Sequence, residues 1–197
     1  MYSKQILMLN LIKNVAEIFS GHTFREKIET VKGGDCAAIQ LKDIDKSYSS
    51  ILNTAHLVKG AGIMPRQFLK RGDILFVAKG ANNFAISFTG NYKAVASSVF
   101  FVIRPEKKIL PEFLCWYMNQ EKAQGYLHTG KEGSMITNIN KLTLENMEVE
   151  LPSIKKQQAI VEMHNLWLQE KALQNKIIHK KEQLLTTFFN TILNGKD

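Results

Sequence analysis

The chain has 197 residues, 45% hydrophobic and 22% charged, with two cysteines and a formal net charge of +8. That length suits one globular domain with a core of its own plus an appendage; no apolar run approaches a membrane span, and residues 1–11 lack a signal-peptide cleavage pattern, so a cytoplasmic protein is expected. Cys36 and Cys115 are too few for a disulfide framework or a Cys-based zinc site, and the basic balance points to polyanion partners, nucleic acid first.

In chain order, Leu9 to Phe19 reads as a short helix or strand running into Ser20-Gly21, and Gly21 to Arg25 combines a hinge, an aromatic and a cation. Gly33-Gly34-Asp35 is a turn, Cys36 to Leu41 a strand, and Lys42 to Lys46 a charged exit from it. Leu57 to Pro65 reads as irregular, and Phe68 to Asp73 as a strand end with a turn. Ile74 to Ala78 is a continuous apolar run, as in a strand buried on both faces. Lys79 to Asn83 is a polar loop, Phe84, Ile86 and Phe88 alternate as the returning strand, and Ala94 to Arg104 makes a third strand stopped by Pro105. Pro111 opens a helix carrying Phe113, Leu114, Tyr117, Met118 and Leu127, weakened near its end by Gly125. After a polar loop, Met147 to Leu151 alternates as a last strand. Strands interleaved irregularly with short helices predict an α+β fold.

Leu151-Pro152-Ser153 then introduces some forty residues without Gly or Pro, up to Gly195. Pro152 blocks helix from upstream, and Ser153 can cap a helix that starts after it. Leu166, Leu173, Ile177, Leu184, Phe188 and Ile192 fall four or seven apart, with Ile178, Leu185 and Phe189 widening the stripe. Such a helix is longer than a domain of this size needs, and its stripe asks for a partner helix; a helix folded back on its own domain would show a Gly or Pro break. The expected division is residues 1–151 as a recognition domain and 152–197 as a helix for dimerisation and docking.

Signals for catalysis are weak. Gly125, Gly130 and Lys131 approach a phosphate loop, but Glu132 stands where Ser or Thr must meet magnesium. Gly60 and Gly62 lack the third glycine of a dinucleotide loop, Pro65 occupying its place. His22, His56, His128, His164 and His179 have no metal-ligand spacing, and Asp73 with Lys79 lacks the second carboxylate a metal-dependent nuclease wants. No catalytic residue, metal or cofactor is therefore expected. What accumulates instead is a set of polar loops. Lysine and arginine can hold phosphates, while asparagine, glutamine and arginine can read base edges. The candidate DNA contacts are Thr23, Arg25, Gln40, Lys42, Lys79, Asn82, Asn83, Lys131, Ser134 and Asn138.

One further pattern runs the length of the chain: Leu69-Lys70-Arg71-Gly72-Asp73-Ile74-Leu75, then Lys79-Gly80, Gly133-Ser134, Ile139, Met147-x-Val149-x-Leu151-Pro152 and Gln157-Gln158-x-Ile160-Val161. From about Leu11 to Leu193 it resembles the DNA specificity (S) subunits of type I restriction–modification systems. The resemblance implies a target recognition domain followed by a long helix. It implies double-stranded DNA, an adenine methyltransferase (M) subunit and a restriction (R) subunit as partners, and no catalysis in this chain. S subunits usually carry two such units with paired antiparallel helices, so one unit implies a homodimer reading a bipartite site. Family members often place an acidic residue after the proline that opens the helix; here Lys155 and Lys156 stand in that turn. The competing readings are a coiled-coil assembly or decoy protein that keeps the fold without reading DNA, and a nuclease whose catalytic residues the sequence does not offer.

Overall fold

A computed structural model describes residues 8–45, 47–80, 82–128 and 137–195. In chain order its strands and helices are β1 (Met8–Leu11), β2 (Ala16–Ser20), β3 (Cys36–Ile39), β4 (His56–Val58), β5 (Ile74–Val77), β6 (Lys79–Gly80), β7 (Ala85–Ser87), β8 (Ala94–Ala96) and β9 (Phe100–Pro105), then α1 (Pro111–Met118), α2 (Glu121–His128), β10 (Thr137–Asn138), α3 (Lys141–Glu145), β11 (Glu148–Leu151) and α4 (Ile154–Leu193). The fold is α+β, mixed strands and short helices followed by one long C-terminal helix. The chain divides into two compact units, Met1–Gln157 and Gln158–Asp197.

Two larger sheets and two two-stranded ladders, β1-β11 and β10-β6, build the described part of the first unit; the larger sheets hold its core. One is four-stranded, β2-β9-β5-β7; the other is three-stranded, β4-β3-β8, with β3 and β8 parallel. Strand alternation explains why β3 and β8 are buried throughout. Ala37, Ile39, Ala94 and Ala96 join Phe19, Leu75, Val77, Phe88, Phe100 and Val102 in one core, while Cys36, Ala38 and Val95 turn to a second with Val58 and Ile63. In β5 the remaining pair, Ile74 and Phe76, are equally buried, and α1 packs on the neighbouring β7 and β9. Each large apolar side chain so enclosed contributes about 1.5–3 kcal/mol.

Several elements differ from the sequence expectation. Leu9 to Phe19 is two strands joined by a 3-10 turn at Ile12–Asn14, the first paired with β11 and the second with β9. The segment after Cys36–Ile39 is a 3-10 turn at Leu41–Asp43, where Asp43 is buried and accepts from the Gln40 N–H and the Thr54 hydroxyl. Residues 56–58 form the edge strand β4, because β3 offers them a partner. Ala94 to Arg104 breaks at Ser97 into strands of different sheets. The Pro111 helix breaks at Asn119, whose side-chain amide bonds the Ala85 backbone through both its oxygen and its nitrogen; Gly125 lies inside the second helix.

The Leu69–Leu75 motif is structural. Gly72 takes φ 91°, a left-handed turn that favours glycine. Asp73 accepts from the Lys70 N–H and is gripped by Arg104 through Nε at 2.8 Å and Nη2 at 2.7 Å. That spends the one carboxylate the sequence offered for nuclease chemistry.

The long helix spans 40 residues, about 60 Å at about 1.5 Å per residue. Its first turn is anchored by Gln157, fully buried in the first unit. The Gln157 amide accepts from the Leu110 N–H and donates to the Pro152 and Lys108 carbonyls. Leu166, Leu173, Ile177, Leu184, Phe188 and Ile192 are all exposed, between 55% and 70%. No helix among the described residues is long and apolar enough to cross a membrane.

Candidate nucleic-acid interface

Two surfaces of the first unit carry the candidate residues. The first forms where the segment after Lys42 meets the loop after β6. Asp45 organises this segment: its carboxylate accepts from the Ser47 and Ser49 hydroxyls and from the Ser49 and Ser50 N–H groups. Burial pushes the Asp45 carboxyl up, but the bonds from Ser47, Ser50 and Ser49 outweigh it and hold the group well below the usual carboxylate range. The turn places Tyr48 at φ 57° with its ring on Phe84, centroids 4.2 Å apart. Asn82 Nδ2 donates to the Tyr48 hydroxyl oxygen at 3.2 Å. Lys79 is exposed three residues before Asn82, and in the β6–β10 pair it stands opposite Asn138.

This arrangement sorts the predicted contacts. Lys79 in β6 and Asn82 in the loop after it are both exposed, Asn138 is brought opposite Lys79 by strand pairing, and Gln40 and Lys42 lead into the segment that reaches Asn82. Asn83 is removed from the surface: it is 5% exposed and its Nδ2 donates to the Val77 carbonyl. Lys131 and Ser134 lie outside the described residues. Tyr48 was missed, because nothing local marks a tyrosine as a partner for an amide 34 residues on; the Asp45-x-Ser47-x-Ser49-Ser50 cluster was the available signal, since aspartate and serine together favour side-chain-capped turns.

The second surface is a polar groove of about 700 Å³, lined among others by Lys13, His22, Thr23, Arg66, Gln67 and Lys141. His22 Nδ1 and Gln67 Oε1 are 3.1 Å apart on its wall. Gly21 makes this wall possible, because a Cβ there would overlap the Ser97 carbonyl. Thr23 belongs to this groove; Arg25 is exposed beyond it, and no residue of the Tyr48 surface lines it. Glu17 and Glu145 temper its charge, and Lys141 pairs with Glu145 at 3.2 Å. Lys13, Arg66 and Lys141 were not anticipated: they come from three separate segments that only the fold assembles.

Among the described residues no group of three or more His, Cys, Asp or Glu is placed to hold a metal. Residues 11–183 match the family described as "Type I restriction modification DNA specificity domain". The chain belongs to that family. It is 25% identical over 178 residues to the type I restriction enzyme MjaIX specificity subunit of Methanocaldococcus jannaschii, covering 86% of this chain and 40% of that protein. Its fold is that of a chain from a solved type I R-M system (TM-score 0.73, 16% identity, 98% of this chain and 47% of that one). It is also that of the HsdS subunit from Thermoanaerobacter tengcongensis (TM-score 0.66, 17% identity, 95% and 44%). A type I S subunit from M. genitalium shares it as well (TM-score 0.57, 12% identity, 100% and 49%). This chain of the specificity-domain family thus spans less than half the length of each of these proteins.

Proposed function

We propose that the chain is a DNA-binding specificity subunit of a type I restriction–modification system, acting in the cytoplasm, which directs a separate adenine methyltransferase subunit, and a restriction subunit where one is present, to a bipartite site. The observation that carries this reading is the family match across 173 of its positions, residues 11 to 183, running through the head and most of the long helix. The head, residues 1–151, serves as the target recognition domain; residues 152–197 mate with a second copy and dock the methyltransferase. The exposed stripe from Leu166 to Ile192 supports the helix role, since nine large apolar side chains along one helix are costly to leave in water. Two heads related by a two-fold axis would read the two halves of a palindromic site, with the helix pair setting the spacer.

Within the head, Lys79, Asn82 and Asn138 with Gln40 and Lys42 form one recognition surface, and Thr23 and Arg25 contact the duplex from the groove side. The lysines and arginine hold phosphates, so binding should weaken steeply with salt. The chain is non-catalytic in this reading: it selects the site and the partners perform the chemistry.

The decisive experiment co-produces the chain with the methyltransferase subunit of its system in a host free of adenine methylation and maps the methylated adenines. A split, palindromic motif is expected. Methylation without a motif, or none in the presence of a competent methyltransferase, overturns the proposal. Lys79→Ala should weaken binding to all sequences while leaving the oligomeric state unchanged.

A further inference from the structure

We infer that Asn82, braced by Tyr48, reads an adenine of the target through its major-groove edge. The inference rests on the proposed DNA-recognition role and adds a base identity and a bracing residue to it.

Tyr48 is the one non-glycine residue with positive φ among the described residues. Bulky side chains rarely adopt that conformation, and the surroundings must sustain it. Here the Asp45 hub sustains it, turning the chain so that the ring lands on Phe84 while remaining 43% exposed. A simple lid over Phe84 accounts for the ring but gives no role to the hydroxyl, which instead accepts from the exposed Asn82 amide at 3.2 Å. Asn82 is fixed from its other side as well, because Asn83 is buried and bonded to the Val77 carbonyl. An exposed carboxamide is thus held between a braced ring and a clamped backbone.

What remains on that carboxamide decides its partner. One amide hydrogen is committed to Tyr48, which leaves the second N–H and the Oδ1 acceptor of the carboxamide for a partner. Adenine presents the complement in the major groove, an N7 acceptor beside an N6 amino donor. Guanine presents two acceptors, cytosine a lone donor, and thymine an acceptor beside a methyl group, so none of them satisfies both groups. Lys79, exposed in β6 three residues before Asn82, is placed to hold a phosphate nearby.

The test repeats the methylation map with Asn82→Ala, Asn82→Asp and Tyr48→Phe chains, each checked for an unchanged melting temperature. Asn82→Asp is isosteric but lacks the donor, so it keeps the inference testable if the alanine variant folds poorly. In each half-site one A·T pair should become degenerate with Asn82→Ala and Asn82→Asp, with discrimination at that pair falling about 5- to 150-fold and other positions unchanged. Tyr48→Phe should relax the same pair to a smaller degree. Three outcomes overturn the inference while leaving the proposed function intact: every position stays specified, the relaxed pair is G·C, or methylation falls evenly at all positions. Absence of any motif with the unaltered chain removes both.

Discussion

Arg104 holds Asp73 in a two-pronged ion pair, with Asp73 1% and Arg104 17% exposed at the side chain. The same guanidinium donates to the Phe68 carbonyl and lies over the Phe19 ring, tying β9 to the turn before β5. Arg104→Ala would strand a buried carboxylate, and breaking one side of such a pair costs about 3–5 kcal/mol. Denaturant unfolding of the variant should show that loss; a cost below about 1 kcal/mol would mean water reaches Asp73 freely.

Gln157 satisfies three backbone groups from a fully buried position. Gln157→Ala would leave the Leu110 N–H and two carbonyls without it, and an orphaned buried group costs about 1–3 kcal/mol. Thermal melts should therefore fall by several degrees. Hydrogen exchange should open first at residues 154–157; unchanged protection there would refute the anchor.

Replacing Leu173 and Ile177 by glutamate puts two charges into the exposed stripe. Light scattering should then report monomers with helix content retained. A dimer that survives both changes would show that the stripe is not the mating surface.

The Asp45 carboxyl is held low in the folded chain, despite the opposing effect of burial, by bonds from Ser47, Ser50 and Ser49. A depressed folded value means its contribution is complete above the unfolded value of about 3.9 and is lost only as pH falls through the folded one. The Tyr48 ring signals in NMR spectra should therefore keep their folded positions at pH 4. In Asp45→Asn they should already be averaged at pH 7, because the neutral amide accepts fewer of the five bonds.

Burial pushes the Cys115 thiol up to about 11. At pH 7.5 it is then almost wholly protonated, and thiolate is the reactive form. Iodoacetamide should leave Cys115 unmodified over hours in the native protein and label it promptly in denaturant.

What could be read directly from the residues was whatever local periodicity encodes. Ile74 to Val77 announces a strand buried on both faces because both faces must be apolar, and the Leu166 to Ile192 spacing announces a helix because nothing interrupts it. Sheet membership could not be read this way. Val95 and Ile103 look alike in sequence, yet one faces the second core and the other sits in the four-stranded sheet; the break between them at Ser97 is set by its bond to the Ile39 carbonyl, 58 residues upstream. The candidate site was legible as polar loops but not as a surface. Asn82 and Asn83 are identical neighbours, and only the turn geometry sends one to solvent and the other to Val77.

β1 runs antiparallel to β11, with Met8 opposite Leu151. The head's way in and its way out are therefore adjacent, laced by one ladder. A segment grafted between those two strands would need to match their hydrogen bonds and to offer Gln157 a backbone N–H and carbonyl like those of Leu110 and Lys108, whatever loops it carried, so the geometry lends itself to exchange of the polar loops as a cassette while the strand pair stays as it is.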